Sequence, residues 1–290
     1  MLPVEQWVQA VVFGIVQGLT EFLPISSSAH LRLTAALAGW EDPGAAFTAV
    51  TQLGTETAVL IYFRTTIWAI VSTWTRSLWT PALRSTLDAR TGWYVIVGTL
   101  PIAVLGLLLE DLIDEQFRDL RLVAAALGVF ALVLAFADRR GSKAKELDEL
   151  TLRDSVLFGF AQALALVPGV SRSGAVLTAL RLLGVERAAA QRFSLLMSLP
   201  VAAGAAGLTL AQNRSLPPGW VPGALAAAVA GAVTARLVPP GRSAAVPTTY
   251  RLGLAAAVAV RLHRQRRTRD RDQLPWACSS RTGSWPARSW

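Results

Sequence analysis

Apolar stretches of membrane-spanning length recur along this chain, and they limit its possible folds more than any other feature. Residues 45–63, 93–109, 122–137 and 193–210 each approach the length of a spanning helix, about 20 residues, with about 17 at the short end. Residues 221–238 and 250–260 are weaker, and the last run is too short unless Arg251 and Arg261 snorkel to the interface. Of the 290 residues, 53% are hydrophobic and only 16% are charged. A soluble domain carries about 25% charged residues, so this chain cannot wrap its apolar content in a polar shell. The composition is that of a polytopic membrane protein.

Other classes are excluded by counts. A single cysteine, Cys278, rules out a disulfide scaffold and a cysteine metal site, and two histidines, His30 and His263, rule out a multi-histidine site. The net charge of +9 is concentrated at one end, with eight arginines beyond Val260. A charged tail is not a basic face on a folded domain, so no nucleic-acid partner is expected. Residues 1–7 carry Glu5 and no Lys or Arg, so no cleavable signal is expected either.

Two apolar segments, about 8–37 and about 156–183, break halfway at clusters of Pro, Gly and Ser. Irregular backbone at membrane depth is tolerated only inside protein or against a water-filled cavity. Both segments therefore read as re-entrant helical hairpins. They also resemble each other. Gly14, Gln17 and Leu19 precede Ser26-Ser27-Ser28-Ala29 with the spacing at which Gly159, Gln162 and Leu164 precede Ser171-Arg172-Ser173-Gly174. A duplicated unit of one hairpin plus three transmembrane helices crosses an odd number of times, so the second copy starts on the opposite face. The expected fold is an all-α polytopic integral membrane protein with an inverted-topology repeat. The first repeat is 1–138, a basic connector is 139–153, the second repeat is 154–260, and 261–290 is a basic tail expected to lack order. Inversion lets both Ser-rich turns meet near the midplane.

Loop charge sets the orientation. Arg64, Arg76, Arg84, Arg90, Arg139, Arg140, Lys143, Lys145 and Arg153 fall on one side. Glu41, Asp42, Glu110, Asp111, Asp114, Glu115 and Asp119, with Arg118 and Arg121, fall on the other. The basic side should be cytoplasmic. The tail arginines then conflict with this topology, unless the last run does not span or orientation ignores the tail.

Candidate chemistry clusters at the two breaks. Gln17 and Glu21 are four apart and share a helix face. An ionisable group in an apolar helix is a functional candidate, here a metal ligand or an acid–base group; hydrogen bonding at a turn is the structural alternative. Glu and Gln oxygens suit Mg²⁺ or Ca²⁺. Ser26, Ser27 and Ser28 either cap the next helix or serve the site, and His30, one turn in, is a natural proton carrier. Arg172 in mid-hairpin needs an anionic partner, either phosphate oxygens or a carboxylate such as Glu21. Ser171 and Ser173 add donors, and Gly169 and Gly174 allow close backbone approach. Gln52 and Glu56, also four apart, either face the same cavity or pair structurally.

The stretch from Gly14 to His30 resembles the first motif of the bacterial undecaprenyl-diphosphate phosphatases of the bacitracin-resistance type. The stretch from Pro168 to Gly174 resembles their second motif. The resemblance covers about residues 4–260, and it implies an inverted-repeat helical fold and hydrolysis of the terminal phosphate of undecaprenyl diphosphate with a divalent cation. The lipid carrier is thereby recycled for cell-wall synthesis, with bacitracin resistance as a consequence. By this resemblance the catalytic set is Glu21, Ser27, His30 and Arg172. Ser26, Gly169, Ser171, Arg172, Ser173 and Gly174 bind phosphate, and Glu21 with Gln17 binds metal. Val176 stands where the second motif ends in Thr, which removes one hydroxyl. The implied setting is the bacterial cell membrane, with the site open to the extracytoplasmic side. Partners are the prenyl diphosphate, membrane lipids and, optionally, a second copy in a homodimer. The rival readings are a transporter or flippase for an anionic prenyl phosphate lipid, and a non-catalytic membrane scaffold.

Overall fold

The computed structural model describes residues 4–109, 112–113, 117, 119–141, 145–212, 217, 219–238 and 245–272. Glu110, Asp111, Asp114, Glu115, Arg118, Lys143 and the tail from residue 273 lie outside the described residues. Among the described residues every regular element is helical. The α-helices are α1 (Val4–Glu21), α2 (Ser27–Ala38), α3 (Gly44–Tyr62), α4 (Arg64–Ser77), α5 (Leu87–Leu108), α6 (Leu120–Arg140), α7 (Leu152–Ala163), α8 (Arg172–Leu182), α9 (Arg187–Gln212), α10 (Trp220–Leu237) and α11 (Ala245–Asp272).

Four of them, α5, α6, α9 and α10, are long and apolar enough to cross a membrane. They contain the runs 93–109, 122–137, 193–210 and 221–238 almost entirely. The run 45–63 is helical too, as α3, but it is not among the four. Thr48, Thr51, Gln52, Thr55, Glu56 and Thr57 dilute it, and Thr51, Gln52, Thr55 and Glu56 are buried. Its polar face belongs to the interior. The short run 250–260 is part of α11, which continues through the basic residues to Asp272. Amphipathic α4, with Trp68 exposed and Trp74 edge-on to Trp93, had no counterpart among the apolar runs.

Both interrupted segments are helix–break–helix. In the first, α1 ends at Glu21 and α2 begins at Ser27. Pro24 lacks the amide that would extend α1 and disfavours α-helical backbone before it. In the second, α7 passes into a 3₁₀ turn, Leu164–Leu166, and Pro168-Gly169 separates it from α8. The Ser171 hydroxyl accepts from the Gly174 amide at 3.2 Å and caps α8.

The helices pack through small residues. Gly14 and Gly18 of α1 lie on the backbone of α10; a Cβ at Gly14 would stand 2.1 Å from the Gly223 carbonyl oxygen, and one at Gly18 2.5 Å from that of Ala227. Gly54 of α3 meets the other flank of α10, 1.9 Å from the Ala224 oxygen by the same construction. In the second half, Gly159 of α7 crosses Gly98 of α5. Where lipid is as apolar as a side chain, close backbone approach supplies the van der Waals contact that holds helices together. An apolar cluster of Leu134, Phe158, Val176, Leu177, Phe193 and Met197 then supports α8 from behind. Gly54→Ala is expected to lower the melting temperature in detergent, at an overpacking cost of about 1–3 kcal/mol. Gly204→Ala, where a Cβ meets nothing within 4 Å, should melt at or slightly above the parent. Equal melting of both variants would contradict this packing.

Candidate functional site

The two breaks touch. The Gly169 amide donates to the Ser26 hydroxyl at 3.1 Å. Ser26 and Ser171, the residues preceding α2 and α8, both adopt φ 72°. A non-glycine residue held there costs on the order of 1–3 kcal/mol, and such strain persists only where the surroundings over-determine it. The strained serines bring the N-termini of α2 and α8 to one place, and helix N-termini present amide donors to anions.

Glu21 is the hub. Its Oε2 accepts from Ser27 Oγ at 2.6 Å and from Gln17 Nε2 at 2.9 Å. Its Oε1 accepts from Gln52 Nε2 and from an Arg172 guanidinium nitrogen, both at 3.1 Å. The same Arg172 nitrogen lies 3.9 Å from Glu56, whose other oxygen accepts from Ser198 Oγ at 3.1 Å. Gln17 Oε1 and Glu56 Oε1 are buried without a hydrogen-bond partner. Both alternatives for Arg172 are therefore open in one geometry: it pairs with Glu21, and it also lines the cavity.

That cavity, of about 480 Å³, has a polar end formed by Glu21, Ser26, Ser27, Ser171, Arg172 and Ser173. Its walls continue along apolar faces of α5 and α9, including Ile102, Leu107, Val201 and Leu208. An anionic head with an apolar tail matches this division. Gly169 and Gly174 act through backbone: Gly169 (φ 107°) approaches α6 where a Cβ would lie 2.6 Å from the Val123 oxygen, and Gly174 caps on Ser171.

Three placements in the structure go beyond what the sequence could fix. His30 is in the first turn of α2, yet it does not pair with Ser27. One ring nitrogen is 2.7 Å from the Ser26 carbonyl oxygen and the other 2.8 Å from the Tyr250 hydroxyl, and the two rings stack. The partner of Ser27 is Glu21. Arg251 does not snorkel: it is 1% exposed. It donates to the Pro24 oxygen at 3.1 Å and to those of Gly169 and Val170 at 2.9 and 3.3 Å, which joins the two breaks. Val176 points into the apolar cluster behind α8, and nearby Thr178 bonds the Gly174 carbonyl of its own helix. The Thr-to-Val change thus alters the core, away from the cavity. Sequence reasoning missed Tyr250, Arg251 and Ser198. The only signal for Arg251 was a charge just inside an apolar run, which end-of-span arginines share.

Residues 10–239 match the family model described as bacitracin resistance protein BacA. A protein of Nocardioides sp. named undecaprenyl-diphosphatase is 49% identical over 262 residues, covering 88% of this chain and 96% of that protein. One of Frankia casuarinae, named undecaprenyl-diphosphatase 2, is 53% identical over 236 residues, covering 77% and 81%. An undecaprenyl-diphosphatase of Thermobifida fusca is 55% identical over 193 residues, covering 67% and 66%. With a family model matched over most of its length and relatives near half identity across it, this chain belongs to the bacitracin resistance protein BacA family.

Proposed function

We propose that this chain is a multi-pass membrane phosphatase in which Ser27 attacks the terminal phosphate of undecaprenyl diphosphate. It releases inorganic phosphate and returns undecaprenyl phosphate to cell-wall synthesis. One observation carries the assignment of roles: Ser27 and Arg172 converge on the same carboxylate, Glu21, at the polar end of an otherwise apolar cavity.

The residues divide the work. Arg172 and the amides at the N-termini of α2 and α8 hold phosphate oxygens. Glu21 takes the Ser27 proton as Ser27 Oγ bonds to the terminal phosphorus and the bridging P–O bond breaks, with prenyl phosphate leaving. Water then cleaves the phosphoserine, and the proton returns to Ser27. His30, locked between the Ser26 carbonyl and Tyr250, positions the start of α2.

A divalent cation, Mg²⁺ or Ca²⁺, fits the donors present. Among the described residues no three His, Cys, Asp or Glu side chains converge on a metal site. Glu21 and the orphaned buried oxygen of Gln17 nevertheless offer hard oxygens on one helix face. Arg172 is already paired with Glu21, so the charge of a bound diphosphate exceeds what this one guanidinium balances. Glu21 and Gln17 would hold the cation, which when bound would supply positive charge to the transferring phosphoryl group.

The inverted repeat belongs to the same proposal. Ser26 and Ser171 share one backbone conformation, and α1 rests on α10 through Gly14 as α7 rests on α5 through Gly159. Two hairpins entering from opposite sides would account for this correspondence, and the basic loops, read as cytoplasmic, support a cavity mouth on the extracytoplasmic side.

The test is phosphate release from undecaprenyl diphosphate by purified protein. Turnover should stop on chelation and return with Mg²⁺ or Ca²⁺. Substrate labelled on its terminal phosphate should leave label on Ser27 after rapid quenching, and Ser27→Ala should be nearly inactive. A Ser27→Ala variant within about 10- to 1000-fold of the parent, the range for loss of one transition-state donor, with no trapped label, would leave activated water as the nucleophile.

A further inference from the structure

The head-group cavity is too small for its ligand. A volume of about 480 Å³ lies within the range of about 300–1,000 Å³ that encloses a drug-sized molecule. A polyprenyl chain of eleven isoprene units, about 55 carbons, is far longer than such a molecule. Most of the chain must therefore lie elsewhere on the protein or in lipid.

A second concavity of about 430 Å³ adjoins the first. It lies between the end of α5, through Leu105 and Leu109, and the end of α7 and its 3₁₀ turn, through Phe160, Ala161 and Leu164. None of its lining side chains carries a hydrogen-bonding group. Leu166 lines both cavities, and it packs on α5 where a Cβ at Gly106 would be 3.6 Å from Leu166 Cδ2. Gly106 and Leu107 face the first cavity while Leu105 and Leu109 face the second, so the same turn of α5 floors both. Phe160, Leu164 and Leu105 supply an apolar surface that adjoins the phosphate cavity at Leu166.

We propose that this groove is a second subsite, which takes the part of the polyisoprenoid chain beyond the first few units, and that the chain crosses into it beside Leu166. The subsite rests on the phosphatase reading and extends it to chain-length recognition. Isoprene units seated there exchange mobile lipid or detergent neighbours for van der Waals contact with Phe160, Leu164 and Leu105, in proportion to length. Long substrates consequently gain affinity that short ones cannot, with no new contact at the phosphates.

The experiment compares undecaprenyl diphosphate with farnesyl diphosphate as substrates of the purified full chain in detergent. Ala161→Trp fills the groove from α7, and Leu109→Trp fills it from α5, so a folding defect in one variant leaves the other. Each variant is expected to raise KM for the long substrate roughly tenfold, about 1.4 kcal/mol of lost binding. Values for farnesyl diphosphate should stay within about twofold of the parent. Equal changes for both substrates, or no change for the long one, would overturn the subsite. If the unsubstituted protein released phosphate from neither substrate, the phosphatase reading itself would fall.

Discussion

Arg172→Ala is expected to abolish phosphate release, by on the order of 10³-fold or more, the scale of losing a transition-state arginine in phosphoryl transfer. Arg172 is the cation that lines the polar end of the cavity, and one of its nitrogens already contacts Glu21 at 3.1 Å and lies 3.9 Å from Glu56. Arg172→Lys should also be poor, because a point charge cannot make two parallel hydrogen bonds to a phosphate. The alanine change leaves two buried carboxylates without their cation, which by itself can destabilise the fold. Adding Glu56→Gln separates the effects: the double variant should recover melting temperature and recover no turnover. Near-normal turnover in Arg172→Lys would remove the bidentate role.

Arg251→Met is expected to be the most damaging change outside the phosphate-binding set. The guanidinium donates to three carbonyls on two breaks far apart in sequence. Without it Pro24, Gly169 and Val170 lose their donors in a buried position, a cost on the order of 3–5 kcal/mol. The strained Ser26 and Ser171 then lose part of what holds them, so the N-termini of α2 and α8 drift apart. The measurements are the melting temperature in detergent and kcat for phosphate release. Both should fall, and kcat should stay low at temperatures where the variant is still folded. A variant that melts and turns over like the parent would show that the two breaks are joined without Arg251.

Part of this site was legible in the chain because the contacts are short in sequence. Gln17 and Glu21 share a helix face by spacing alone, and Ser27 follows within one turn of the break. The structure contains the Gln17–Glu21 contact. Arg172 could be singled out because a guanidinium in an apolar hairpin demands a partner, although which anion it meets is a tertiary matter. The breaks themselves were readable because proline removes an amide and glycine relaxes the backbone wherever they occur. The helical class followed from hydrophobicity, since a backbone in lipid must satisfy its own hydrogen bonds.

Spacing could not tell which partner a group chooses when several are in reach. His30 and Glu21 were both near Ser27 by sequence; the hydroxyl of Tyr250 and the carbonyl of Ser26 hold the imidazole, and Glu21 takes the serine. Tyr250 is 220 residues from His30, and Arg251 looks from the sequence like any arginine at the end of a span. α3 reads as a span by length, but Thr51, Gln52, Thr55 and Glu56 turn inward where α10 packs on Gly54. The sequence by itself determined a helical membrane protein with two interrupted helical segments and polar residues gathered at the breaks, because backbone satisfaction and local geometry act within a few residues. Only the tertiary structure decided that Arg251 joins the two breaks, that Glu21 is the hub, and that Val176 faces the core. Those outcomes depend on how closely small residues let helices approach, and that distance is a property of pairs of helices rather than of any one segment.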